Sequence, residues 1–244
     1  MIAADRWTAH LREHLDLARR PAEVEGVHQV RVAARRLDAW LLLGRRRMLR
    51  DDLRWLRGVV GEARDLDVLL ARGDEFPEGF IAWLQERRAA EQLRVEAGLD
   101  SERTSALVAA LLVAAPVEEN HARRSIGGFF DRVSRGDAVL ASGGDKAEPL
   151  DVQVHGLRRA IRRLRFALDW MGEKVSVLVE LQDRFGEACD QVVLLRWIDE
   201  CPMGNSLAGL REQVETARTE KREAALAAWA EARPELEDLK HTWN

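Results

Sequence analysis

His28-Gln29-Val30-Arg31-Val32-Ala33-Ala34-Arg35-Arg36-Leu37 decides how this chain is read. It returns 127 residues later as His155-Gly156-Leu157-Arg158-Arg159-Ala160-Ile161-Arg162-Arg163-Leu164. On a helix turning about 100° per residue, with His28 at zero, Arg35 stands about 20° away and Arg31 about 60°, while Val27, Val30, Ala34, Leu37 and Leu41 gather opposite. His155, Arg158 and Arg162 fall at the same angles, and Arg165 extends their stripe. Val154, Leu157, Ile161, Leu164 and Leu168 form the apolar side. A helix with one basic and one apolar face is therefore specified twice. Downstream, Gly61 and Asp65 follow Leu53 and Leu56, as Gly186 and Asp190 follow Leu178 and Leu181, here at an offset of 125. The repeat unit is a helical hairpin with a two-residue length difference in its middle.

Composition agrees with helix. The chain has 244 residues, 46% of them apolar, with 6 Pro and no Tyr. Its Ala, Leu, Glu and Arg lose little rotamer freedom in a helix. Such a length can bury one large core or two modest ones. Cys189 and Cys201 supply neither a disulfide framework nor a zinc spacing. The longest apolar run, Ala106 to Val117, is 12 residues, short of the roughly 20 that span a bilayer. Met1-Ile2-Ala3-Ala4 runs straight into Asp5 and Arg6 without a leader pattern, so the cytoplasm is the expected compartment and no membrane partner is expected.

The net charge of −4 conceals a segregation. Residues 28–57 hold nine Arg against three Asp, and residues 154–166 hold five Arg and no acid; these windows together carry +11 and the rest of the chain −15. Two concentrated basic faces on an acidic molecule suit a cleft-like anion site and discourage indiscriminate sticking.

The spacing predicts helices at about 2–20, 24–50, 52–72, 77–98, 101–133, 149–172, 175–201 and 206–230, with a short piece from 234. Pro77 suits the opening of a helix, where its missing N–H costs nothing. Gly136, Asp137, Ser142, Gly143, Gly144, Asp145 and Glu148 mark a loop between Arg135 and Pro149. By the repeat, a first bundle occupies 1–100 and a second 101–244.

The stretch from His28 to Leu37, followed by Leu53-Arg54-Trp55-Leu56 and Gly61-Glu62-Ala63-Arg64-Asp65-Leu66-Asp67-Val68, resembles the first half of a CHAD domain, the conserved histidine α-helical domain. His155 through Phe166, then Leu181-Gln182 to Gly186 and Asp190, resembles the second half. The resemblance implies an all-α protein of two four-helix bundles related by a pseudo-twofold axis, with a basic channel that binds inorganic polyphosphate. It favours recruitment to polyphosphate granules over protection of the polymer or its presentation to an enzyme.

On that reading the ligand-binding residues are His28, Arg31, Arg35, Arg36, Arg54 and Arg57 with His155, Arg158, Arg162, Arg163 and Arg165. Arginine suits the task because its planar fork donates paired hydrogen bonds to phosphate and it stays charged. His28 and His155 are assigned to ligand contact, with bonding of a neighbouring helix as the alternative. Arg45, Arg46 and Arg47 spread over some 200° of helix, so few of them can share a face. Arg123, Arg124, Lys221 and Arg222 suit either a channel mouth or a solvated face. The tryptophans are assigned to the core.

No catalytic residue, metal or cofactor is expected. Asp65 and Asp67, two apart on a helix, point in different directions and cannot act as paired acids. Gly61 and Gly186 are read as close approaches of helices, with the following Asp bonding a neighbouring Arg. Cys189 stands where the first copy has Arg64, and Val192 where it has Asp67. His10 and His14, one turn apart, have the spacing of a metal clip but read as a solvated helix face. Two rivals remain. A triphosphatase of the CYTH kind, which can accompany CHAD domains, would show Glu-x-Glu-x-Lys; Glu235-Leu236-Glu237-Asp238-Leu239-Lys240 places its lysine one residue late. A nucleic-acid module would interleave aromatics with its basic stripe, and none stands there, so no specific nucleic acid is expected.

Overall fold

The apolar positions of the two repeats become the cores of two hairpins. The computed structural model describes residues 1–141 and 150–243, and the fold is all-α. Among the described residues the helices are α1 (Asp5–Ala18), α2 (Val24–Leu43), α3 (Arg50–Val59), α4 (Gly61–Leu70), α5 (Glu78–Leu99), α6 (Glu102–Leu112), α7 (Glu119–Ala141), α8 (Leu150–Trp170), α9 (Ser176–Glu200) and α10 (Ala208–Trp243). One isolated β-bridge joins Ile2 to Val117. None of these helices is long and apolar enough to cross a membrane. The chain divides into two compact units, Met1–Glu119 and Asn120–Asn244.

In the first unit α2 packs on α1, α3 and α4, α5 lies against α3 and α4, and α6 against α1 and α3. Val27, Val30, Ala34, Leu37 and Leu41 of α2 are buried with Leu53, Leu56, Leu66, Phe80 and Leu84. The α1–α2 turn is tight enough that a Cβ on Gly26 would stand 2.4 Å from the Ala18 backbone nitrogen. Because α6 docks on α1 and α3, the first unit runs to Glu119, not to residue 100. Ser101 caps α6, its Oγ accepting the Thr104 N–H at 3.3 Å.

In the second unit α9 packs on α8 and α10, burying Val154, Leu157, Ile161, Leu164 and Leu168 as the period requires. Trp40, Trp197 and Trp229 lie in the cores, as expected; Trp55 and Trp170 are half-buried. Both cysteines are free and buried.

Several boundaries differ from the sequence expectation, each for a local reason. Helix α2 stops at Leu43, seven residues early. There Arg45, at φ 51°, donates its N–H to the Leu42 carbonyl, and Arg46 N–H reaches back to Leu41, the paired bonds of a Schellman stop. Arg45 to Arg47 therefore leave the helix altogether. The span 52–72 is two helices meeting at Val60, between Gly58 and Gly61, where backbone entropy favours a break. The span 101–133 is interrupted after Leu112, because Pro116 disfavours helix at the residue before it.

The expected loop at Gly136 and Asp137 is helical. Gly136 is where α7 passes α8, a Cβ there standing 3.3 Å from Leu157 Cα. Ser142, Gly143, Gly144, Asp145 and Glu148 lie outside the described residues. Helix α10 continues through Pro234. Contacts from α7 hold both of its flanks: Asp137 accepts from Trp229 Nε1 and Arg233 Nη2, each at 2.7 Å, Lys240 pairs with Asp131 at 3.6 Å, and Arg123 lies over Trp243.

Candidate anion-binding faces

The basic side of α2 is built around His28. Arg31 extends its Nη1 to α4, donating to the Gly61 carbonyl at 2.7 Å and to Asp65 Oδ1 at 3.1 Å. The guanidinium lies over Gly61: a Cβ there would stand 4.0 Å from it, an ordinary van der Waals contact. Arg31 is thus positioned by α4 through the glycine and aspartate that the repeat singles out.

His28 is held below the ordinary imidazole range, first by burial and then by the charge of Arg64, with Arg35 and Arg31 adding to it and Glu25 opposing. Three guanidinium groups therefore direct their field onto one half-buried ring, which is neutral at pH 7. Arg64 belongs to this group and was absent from the expected set. It lies one turn after Gly61, on the face of α4 that Arg31 contacts, a placement that shows only once α2 and α4 are packed together.

The other expected residues of this unit are placed elsewhere. Arg36 turns toward α1, its guanidinium 4.5 Å from the centre of the Trp7 ring. Arg57 lies 3.8 Å from the buried Asp38, which also accepts Arg50 Nε at 2.8 Å; this pairing ties α2 to α3. Arg54 pairs with Asp51 at 2.7 Å in the open. Asp67 is structural, as expected: it is buried and accepts from the buried Arg88 of α5, which also donates to Gln92 at 3.0 Å. Burial pushes the Asp67 carboxyl up despite that partner.

The second unit repeats the arrangement with different chemistry behind it. A Cβ on Gly186 would meet Arg158 Nη2 at 3.3 Å, the counterpart of the Arg31 contact on Gly61. Arg158 and Arg162 both act on Cys189, which occupies the place of Arg64. Burial pushes that thiol up while the two guanidinium groups draw it back. Arg163 is half-buried on the same helix, His155 is exposed, and Arg165 lies 5.7 Å from the Phe166 ring centre. Arg222 pairs with Asp151 at 3.1 Å and Lys221 with Glu187 at 2.8 Å. These two cations have acidic partners of their own within the unit. The group of described residues with metal-ligand geometry is His10, Glu13 and His14 on α1.

Solved structures share this fold, among them the following two. The CHAD domain crystal structure from the plant Ricinus communis is 21% identical, covering 98% of this chain and 88% of its own, with a TM-score of 0.63. PptA from Streptomyces chartreusis is 18% identical, covering 96% of this chain and all of its own, with a TM-score of 0.64. No curated protein matches the chain. The CHAD domain family model matches residues 2–199, taking in both basic repeats and the glycines that seat them, and the chain belongs to the CHAD domain family.

Proposed function

We propose that this chain is a non-catalytic binding protein for inorganic polyphosphate. Its family is linked to polyphosphate binding and to triphosphatase-associated roles, and the residues support the first. The observation that carries the reading is the duplicated seating of arginine on glycine. Arg31 against Gly61 and Arg158 against Gly186 fix two matched basic faces, on which Arg35 and Arg162 stand alongside.

A ligand that is long, evenly charged and without bases needs only such forked cationic donors. We propose further that one polymer engages both faces at once and that the purpose of binding is recruitment to polyphosphate granules. Many arginine–phosphate contacts then add up, and the release of counterions makes affinity fall with salt.

The test is calorimetric titration with polyphosphate of defined lengths, RNA and triphosphate side by side, while orthophosphate is monitored. Affinity is expected to climb steeply with chain length until both faces are engaged, with no orthophosphate released. Orthophosphate competing as well as long polymer, mole for mole, would defeat the reading. Its steady release would move the assignment to a phosphohydrolase, and RNA binding tighter than polyphosphate would move it to a nucleic-acid module.

A further inference from the structure

We propose that His10, Glu13 and His14 form a binding site for one divalent transition-metal ion of the zinc class on α1. Positions i, i+3 and i+4 share one helix face, and one ligand atom from each residue lies within 4.8 Å of the others. Donors around a single zinc ion, at about 2.0–2.2 Å from it, stand about 3.3–3.6 Å apart. Closing that gap takes small side-chain rotations, above all of Glu13, which is exposed.

Hydrogen bonds already fix which nitrogen of each imidazole is left to ligate. The Gln29 side-chain nitrogen donates to Glu25, which turns the Gln29 oxygen toward His10 Nε2 at 2.9 Å. An amide oxygen only accepts, so His10 carries a proton on Nε2, and Nδ1 is the nitrogen whose lone pair can face a metal. His14 Nδ1 lies 2.8 Å from the His10 carbonyl oxygen and donates there, so Nε2 is the nitrogen left to ligate. Each ring has one nitrogen tied to a protein acceptor and the other without a protein partner among these bonds, the second-shell pattern of metal-bound histidine.

The two rings lie with centroids 4.0 Å apart at 34°. Glu13 makes no hydrogen bond or ion pair among the described residues and supplies the negative charge. Glu25 reinforces it through Gln29, and the guanidinium groups of Arg6 and Arg36 lie against the Trp7 ring. Two imidazoles and one carboxylate suit zinc, cobalt or nickel better than magnesium or calcium. Three protein ligands leave a fourth position for water. Because Gln29 and Glu25 belong to α2, the bound ion would clip α1 and fasten it to α2.

The test is titration of the untagged chain with ZnCl₂ by calorimetry, and with CoCl₂ by visible absorption, in phosphate-free buffer at pH 7.5. One equivalent is expected to bind, with the cobalt bands of low coordination number. His14→Gln should weaken zinc by at least about thirtyfold, Glu13→Gln by about tenfold, and Gln29→Leu, which leaves every ligand in place, by about 10–100-fold. Zinc should raise the melting temperature of the wild type and not of His14→Gln, and His241→Gln should change nothing. Glu13 is exposed, so its variant tests the site even if a histidine variant folds poorly. Absence of saturable zinc binding, or binding by Glu13→Gln and His14→Gln equal to wild type, would overturn the proposal.

Discussion

The two repeats keep the same face and build different supports beneath it. Arg31 and Arg158 sit against Gly61 and Gly186, and α2 and α8 both end in a Schellman stop at matched positions, Arg45 and Gly172. Behind that face the answers diverge. The place of Arg64 is taken by Cys189, that of the buried Asp38 by Arg165, and that of Asp67 by Val192. The hairpin's second arm is broken at Val60 in one copy and is the continuous α9 in the other. What recurs is the contact that aims the arginines; what varies is how each unit satisfies its interior.

The comparison breaks first on binding. Arg35→Glu together with Arg162→Glu should weaken long polyphosphate by more than about 100-fold, since each removes a charge-assisted contact of about 1.5–3 kcal/mol and adds repulsion. Circular dichroism should be unchanged, because both side chains are half-buried and neither belongs to the apolar core. If the faces are equivalent, the single substitutions cost similar amounts; a loss confined to one would show that a single repeat carries the affinity.

The interior difference gives the next effect. Asp67→Val copies the second unit's answer into the first but strands Arg88 in the core, and should cost about 3–5 kcal/mol in urea unfolding. Adding Arg88→Met should return most of that loss, because an apolar pair replaces a desolvated ionic one. Failure of the second change to rescue would mean that Arg88 is needed for its bond to Gln92 more than for its charge.

The basic and apolar faces were legible because a 3.6-residue period shows in one sequence, and their duplication showed it twice. The neighbours of Arg36, Arg54 and Arg57 were not legible, because a helical wheel gives direction but not the partner waiting there: Trp7, Asp51 and Asp38. Arg64 was missed because its neighbours on the face belong to α2, thirty residues earlier. The same limit explains Pro234 and Gly136: each signals a break locally, and each is overruled by contacts between α7 and its neighbours that only the folded chain brings together.

A smaller effect separates the two helix stops. Gly172 takes the left-handed conformation at φ 84° without strain, whereas Arg45 takes it at φ 51° with a Cβ against its carbonyl. Arg45→Gly should therefore stabilise the protein by up to about 1 kcal/mol, a rise of about 2–4 °C in melting temperature. Gly172→Ala should lower it by a similar amount. Equal and negligible effects would show that the stop is fixed by the Val117 side chain packed against Gly44, not by the backbone bonds.

The smallest expected effect is in pH. Burial and Arg64, then Arg35 and Arg31, hold His28 below the ordinary imidazole value, with Glu25 opposing. The unfolded chain therefore takes up this proton near pH 6.5 and the folded chain only below that. Between the two values the unfolded state binds more protons, so stability is full above about pH 6.5 and declines as pH falls through the lowered value. His28→Gln should flatten that part of the profile. A bound polyanion cancels the arginine field and raises the His28 value, so binding near pH 6 should draw in a fraction of a proton, measurable by calorimetry in buffers of different ionisation enthalpy. In the second copy the matched pair, Arg158 and Arg162, faces Cys189, a buried thiol that stays protonated at that pH and takes up nothing. Uptake that vanishes in His28→Gln places the ligand on the first face. Uptake that persists unchanged would mean that the polymer does not reach His28, and the two faces would then differ in use as well as in construction.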